Sequence, residues 1–181
     1  MSAMPTLPVR LDGWTVADLY DLPDDGMRYE LVDGALVVSP PPVLRHDHTV
    51  AQLVLLLAPA LPEPWVVVAG GGLRFDDRNY RQPDLQVVRR AALAQELAAP
   101  GDVLLAVEVM SPSSVSADRV SKPAQYAAAG IPYFWRVELR DPVLVTHALE
   151  GTVYRESGRF PEEVVVDEPL PLHFPLAQLL G

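Results

Sequence analysis

The run VLLAVEVM, Val103–Met110, is apolar at every position except Glu108. A stretch with apolar neighbours on both sides of the acid reads as a buried strand. A carboxylate there must be paired or must hold a cation, because an uncompensated buried charge is expensive. A second acid, Asp84, opens the strand-like PDLQVV, and a third, Glu30, lies inside RYELV. Asp84 and Glu108 are too far apart to share one strand. With a short helix between them, two neighbouring strands could place both acids at one end of a sheet. Two carboxylates converging there would repel each other unless a cation sat between them. Hard oxygen ligands of this kind select Mg²⁺, Mn²⁺ or Ca²⁺ over zinc or copper. Such crowding also predicts that Glu108→Gln would leave the metal-free fold as stable as before, or firmer.

Each of these residues also has a purely structural reading. Asp84 after Pro83 suits a strand-start turn. Glu30 could face water if Tyr29 and Leu31 face the core. Glu108 could be half of a buried ion pair with an arginine. Lys122 lies near the start of the next helix, where most lysines are solvated. A short loop would bring it back beside the end of the Glu108 strand, where an ammonium could orient a water or stabilise a phosphorane oxygen. The polar loop SPSS, residues 111–114, reads as a turn fixed by Pro112, or as a source of hydroxyls and amides for a phosphate.

The elements that must position these side chains follow from periodicity and punctuation. WTVADLYDL reads as a short helix capped by Thr15, with Asp18 favourable at its first turn. Asp33-Gly34 between two apolar runs predicts a hairpin. LRHDHTVAQLVLLLAPAL predicts a helix with Leu44, Ala51, Val54, Leu55 and Ala58 on its apolar face, ended by Pro59 and Pro62. PWVVVAGGG is a strand running into glycines. LRFDDRNYRQPDLQVV reads as a hairpin turning near residues 77–79, with residues 84–88 as its second strand. AALAQELAA is a short helix. After the Glu108 strand come a helix in KPAQYAAAG, a strand in PYFWRVEL and a hairpin around Glu150-Gly151. A late edge strand in EEVVVDE and a helical turn in PLAQLL close the chain. Alternating strands and helices with hairpins at both ends indicate an α/β domain with a mixed sheet flanked by helices.

Composition bounds the function. The chain has 181 residues, 49% of them hydrophobic, which suits a single domain spanning 1–181. It has no cysteine, hence neither a disulfide nor a thiolate site. The longest apolar helix candidate, residues 50–60, is too short for a membrane span. The N-terminus lacks a secretory pattern, so a soluble cytoplasmic protein is expected. A net charge of −10 argues against nonspecific nucleic-acid binding through a global basic field. It leaves room for a local basic patch and for an acidic cleft that binds a divalent cation. Walker and nucleophile-elbow motifs are absent, and His46 and His48 have no partners at zinc spacing.

YELVDG, RQPDLQVV and VEVMSPSS…DRVSKPAQYAAAGIPYFW together resemble the Uma-two family of restriction-endonuclease-like proteins, within the PD-(D/E)xK nuclease-like superfamily. The resemblance runs over residues 14–154, with the core of the domain at about 14–156. Its most specific part extends from Glu108 through Lys122 and Tyr126 to Trp135. It implies a restriction-endonuclease-like mixed β-sheet flanked by helices, with Mg²⁺ or Mn²⁺ as cofactor and DNA as substrate. It also implies Asp84 and Glu108 as metal ligands, with Glu30 and Lys122 completing the catalytic set and His46 in the following helix. Two departures stand out. Met110 occupies the place, two residues after the acid, where the usual nuclease lysine would stand, and Lys122 matches the family's lysine on the next helix. Pro123 follows that lysine directly; it is harmless in a first helical turn and disruptive deeper in.

The leading expectation is therefore a metal-dependent DNA endonuclease. One competing reading is a catalytically inactive nuclease-fold module for dimerisation or regulation, as a homodimer. The other is hydrolysis of a small phosphate ester. Arg78, Arg81, Arg89 and Arg90 flank the Asp84 strand. Their gathering around the acids would favour nucleic acid, and their scattering would favour the alternatives.

Overall fold

The computed structural model of the chain describes residues 10–110 and 120–181. The SPSS loop lies outside the described residues.

At Asp33-Gly34 both residues have positive φ, +50° and +80°. This is the combination a two-residue hairpin turn demands, and glycine and aspartate tolerate it best. The turn joins β1 (Arg28–Val32) to β2 (Ala35–Ser39) in antiparallel register, with Glu30 opposite Val37. The anticipated hairpin after the glycines forms only in part. β4 (Leu73–Arg74) pairs with β5 (Tyr80–Arg81), and these join the first hairpin in a four-stranded sheet ordered β2-β1-β5-β4. The chain then leaves that sheet at Gln82-Pro83, because proline has no N–H with which to continue the ladder. It enters a second sheet as β6 (Leu85–Arg89). The second strand expected at residues 84–88 thus forms as β6 in the other sheet, β5 takes its place beside β4, and Asp84 stands at the hinge between the two sheets.

The second sheet has six strands ordered β10-β9-β8-β7-β6-β3. It comprises β3 (Trp65–Ala69), β6, β7 (Val103–Met110), β8 (Tyr133–Glu138), β9 (Val143–Glu150) and β10 (Val153–Phe160). All neighbours are antiparallel except β7 and β8. A parallel pair needs a crossover, and the chain between them carries α2 (Lys122–Ala128). Central strand β7 is covered on both faces, which explains its continuous apolar run. Leu105, Val107 and Val109 pack with Leu53 and Leu57 of α1 (Leu44–Leu57). Ala106 packs with Tyr126 and Phe134 on the other side.

Four further expectations are corrected. Helix α1 is present, but its buried face is His46, Thr49, Leu53 and Leu57, while Leu44 and Leu55 are exposed at 88% and 67%. In a run this apolar several faces have the helical period, and the polar partners decide between them. Thr49 donates to the carbonyls of Leu179 and Arg45, at 2.9 and 3.0 Å, and His46 meets Asp84. The segment at Arg90–Ala94 makes only a 3₁₀ turn. Ala98 is drawn into pairing with Gly72 and Arg74, which ends any longer helix. The first helix is likewise a 3₁₀ turn, Val16–Asp21, with Thr15 N–H and hydroxyl both donating to the Asp18 carboxylate. The late strand β11 (Glu163–Val166) pairs with β12 (Leu172–Pro175) as a separate ribbon, and its Val164 and Val166 join the α1-side core. The closing turn, Leu176–Leu179, is where the sequence puts it.

Candidate functional site

Strands β6 and β7 run antiparallel with Leu85 opposite Val107. One step outward along that register, Asp84 stands beside Glu108. Asp84 is 3% exposed. Its Oδ2 accepts the Val109 backbone N–H at 2.8 Å and lies 3.1 Å from His46 Nε2; its Oδ1 accepts Arg28 Nη1 at 2.5 Å. Burial alone would raise the acid's pKa. The hydrogen bond and charge of His46, with the charges of Arg28 and Lys122, overcome that and hold it at about 2. Burial likewise pushes the His46 imidazole down, but Asp84 and then Asp47 raise it above its ordinary value.

Glu108 is 1% exposed. Lys122 Nζ donates to its Oε2 at 2.8 Å, and the Tyr126 hydroxyl to its Oε1 at 2.6 Å. Burial, then the charges of Glu108 and Glu30, push the Tyr126 phenol far above its usual range, so this hydroxyl remains a donor. A lysine partners this acid, where the sequence suggested an arginine. Pro123 is the second residue of α2, but Val120 and Ser121 before it are already helical, as a π turn, so the proline lies inside a helical run that begins before Ser121. Lys122 Nζ nonetheless reaches Glu108.

Glu30 does not face water. It is buried, accepts Gln82 N–H at 2.9 Å and Arg81 Nη1 at 3.1 Å, and lies 3.6 Å from Lys122 Nζ. Arg81 is itself buried and donates to Gln125 at 2.7 Å and Ser121 at 2.9 Å. It therefore ties the small sheet to the start of α2. Lys122 thus bridges Glu30 and Glu108, and the Arg28 guanidinium is raised by Asp84, Glu108 and Glu30 together, against the opposing effect of burial. The four residues singled out from sequence, Glu30, Asp84, Glu108 and Lys122, fall in one charged cluster.

Two members were not foreseen in these roles. Arg28 was missed, although it lies two residues before Glu30 on the same strand and hence on the same face. Arg81 was noted only as a phosphate contact. The other flanking arginines scatter. Arg78 donates to the Asp12 carbonyl, Arg89 lies over the Trp65 ring at 4.7 Å, and Arg90 pairs with Glu63 at 2.8 Å.

The acids fit a divalent cation in donor type. Carboxylate oxygens are hard ligands, and Mg²⁺ commonly takes one or two carboxylates and completes its shell with water and phosphate. A guanidinium already stands at Asp84 Oδ1, so positive charge is accommodated there. Among the described residues no three His, Asp or Glu side chains are gathered as an all-protein cage.

The six-stranded sheet, with buried acids at the ends of adjacent strands and a lysine delivered from the crossover helix, makes this an α/β protein with a mixed sheet. Residues 16–177 match the model of the Uma2 family, described as "Putative restriction endonuclease", and the chain belongs to that family. Among solved structures it is similar to "a putative nuclease belonging to DUF820" from Anabaena variabilis ATCC 29413. That match has a TM-score of 0.71 at 17% identity and covers 92% of this chain and 97% of the other, a likeness of fold. No curated protein matches the chain. Among the described residues no helix is long and apolar enough to cross a membrane.

Proposed function

We propose that this chain is one restriction-endonuclease-like domain that hydrolyses DNA phosphodiester bonds with Mg²⁺ or Mn²⁺. Asp84 and Glu108 would hold the cation, and Glu30 would support it directly or through water. A bound divalent cation supplies a more acidic water and neutralises charge developing on the phosphate. Lys122 orients the attacking water or donates to a phosphate oxygen as the P–O ester bond breaks. Arg81 fixes Glu30 and the start of α2, and thereby the lysine. Tyr126 and the Val109 N–H hold the two acids in orientation. The observation that carries this reading is Lys122 Nζ at 2.8 Å from Glu108 and 3.6 Å from Glu30. It supplies from the next helix the cation that Met110 cannot. The test is nicking of supercoiled plasmid with Mg²⁺, Mn²⁺ or EDTA, for wild type beside Asp84→Asn. Nicking that needs the metal and disappears in the variant supports the proposal; equal nicking by both proteins, or none by either, rejects it.

Two observations favour other readings. Three of the four flanking arginines pair away from the acids, which suits a small phosphate ester better than a long duplex. Each oxygen of Glu30, Asp84 and Glu108 already meets a protein donor, as in an inactive module whose cluster is structural. Turnover of a generic phosphodiester such as bis(p-nitrophenyl) phosphate, without plasmid nicking, would select the first. Absence of both, with metal-independent stability, would select the second.

A further inference from the structure

The two oxygens of Asp84 are treated differently by the fold. Oδ2 is held by the Val109 backbone N–H and His46, groups locked into strand β7 and helix α1. Among the described residues, Oδ1 is held by Arg28, at 2.5 Å. Arg28 also differs from the other cations of the cluster in its burial. The side chains of Arg81 and Lys122 are 2% and 8% exposed, whereas that of Arg28 is 30% exposed. A buried arginine that lost its carboxylate would be left as an uncompensated charge, whereas Arg28 can turn its guanidinium toward water at little cost. A guanidinium 2.5 Å from a carboxylate oxygen and a divalent cation bound to that same oxygen repel each other at close range, so the partly exposed cation is the one that gives way.

We infer that Arg28 is a built-in counter-cation on Asp84 Oδ1, and that a divalent cation enters this site by displacing it. The inference rests on the proposed metal role of Asp84 and names the residue that sets the metal's apparent affinity. Arg28 holds Asp84 Oδ1 in place while no metal is bound, at the cost of weaker metal binding. It acts on the metal through Asp84 and is therefore a positioning residue.

The experiment is Mn²⁺ binding to the full chain, read from the free-Mn²⁺ electron paramagnetic resonance signal, for wild type, Arg28→Gln and Asp84→Asn. The expected result is a Kd for Arg28→Gln lower by about tenfold or more, the scale of removing one opposing charge from a partly exposed site, with binding lost in Asp84→Asn. If Asp84→Asn loses the site but Arg28→Gln binds no tighter than wild type, the inference is overturned while the metal reading stands. If wild type and Arg28→Gln both fail to bind, or Asp84→Asn binds as wild type does, the metal reading fails and the inference with it. A second measurement needs no variant. Saturating Mn²⁺ should increase labelling of Arg28 by an arginine-specific dicarbonyl, read by peptide mass spectrometry, as the guanidinium is released. Unchanged or reduced labelling of Arg28 while Mn²⁺ occupies the site would overturn the displacement.

Discussion

Asp84 and Glu108 lie side by side on adjacent strands, and each is almost fully buried, yet their surroundings differ. Glu108 is enclosed by Lys122 and Tyr126, both delivered by α2 and both buried. Asp84 is held by a backbone amide, by His46 from the opposite side of the sheet, and by Arg28, which reaches solvent. Glu108 keeps its protein cation whatever else it binds, whereas the cation on Asp84 can withdraw to solvent. The same acid chemistry thus gives one half of the cluster with a fixed protein partner and one half with an exchangeable partner.

The largest effect expected is on the fixed half. Lys122→Ala removes the ammonium 2.8 Å from a buried carboxylate, and breaking such a pair costs about 3–5 kcal/mol. Denaturant melts in EDTA should show this loss. If Lys122 also acts in the chemical step, cleavage at saturating Mg²⁺ should fall by about 10²–10³-fold beyond what the folded fraction explains. The same geometry reverses the expectation for Glu108→Gln. Crowding with Asp84 predicted an equal or firmer fold, whereas the Lys122 and Tyr126 contacts predict a loss of similar size, because the variant leaves a buried ammonium facing a neutral amide. A melt that equals or exceeds wild type would restore the crowding picture.

Tyr126→Phe deletes the hydroxyl 2.6 Å from Glu108 and keeps the ring packed against Phe75 and Phe134. A hydrogen bond to a charged group contributes about 1.5–3 kcal/mol, so the melt should shift by that much without loss of secondary structure. No shift would mean that Glu108 is oriented by Lys122 without help from the ring.

Asp84 adds a pH dependence. Its folded pKa of about 2 lies below the ordinary 3.8. The folded state therefore keeps the carboxylate ionised where the unfolded chain binds a proton. This contributes on the order of 2 kcal/mol above about pH 4 and is lost as pH falls toward 2. In metal-free solution, the stability gap between wild type and Asp84→Asn should be widest near neutrality and shrink through that window. A gap that stays constant to pH 2.5 would contradict the assignment.

The smallest effect should come from Arg28. Because its side chain is partly exposed and Asp84 retains His46 and the Val109 N–H, Arg28→Gln should cost no more than about 1 kcal/mol. A loss as large as that for Lys122→Ala would erase the difference between the two halves of the cluster.

Local chemistry made much of this legible in advance. The Asp33-Gly34 turn is dictated by its two positive-φ residues, and β7 by its apolar run. The oddity of Glu108 follows from placing a carboxylate in that run. The recognisable order of Glu30, Asp84, Glu108 and Lys122 along the chain carried the family resemblance. What the sequence could not decide is which groups meet across distant elements. The buried face of α1 is set by Asp84 and the Leu179 carbonyl, which compete with leucines of equal helical period. The break at Pro83 puts Asp84 at the hinge between two sheets, where the Gln82 N–H beside it is taken by Glu30, a partner from a distant strand. Arg28 and Arg81 are both arginines near strand positions. One becomes a buried clamp and the other a solvent-accessible counter-cation, because burial belongs to the assembled layers and not to the residue.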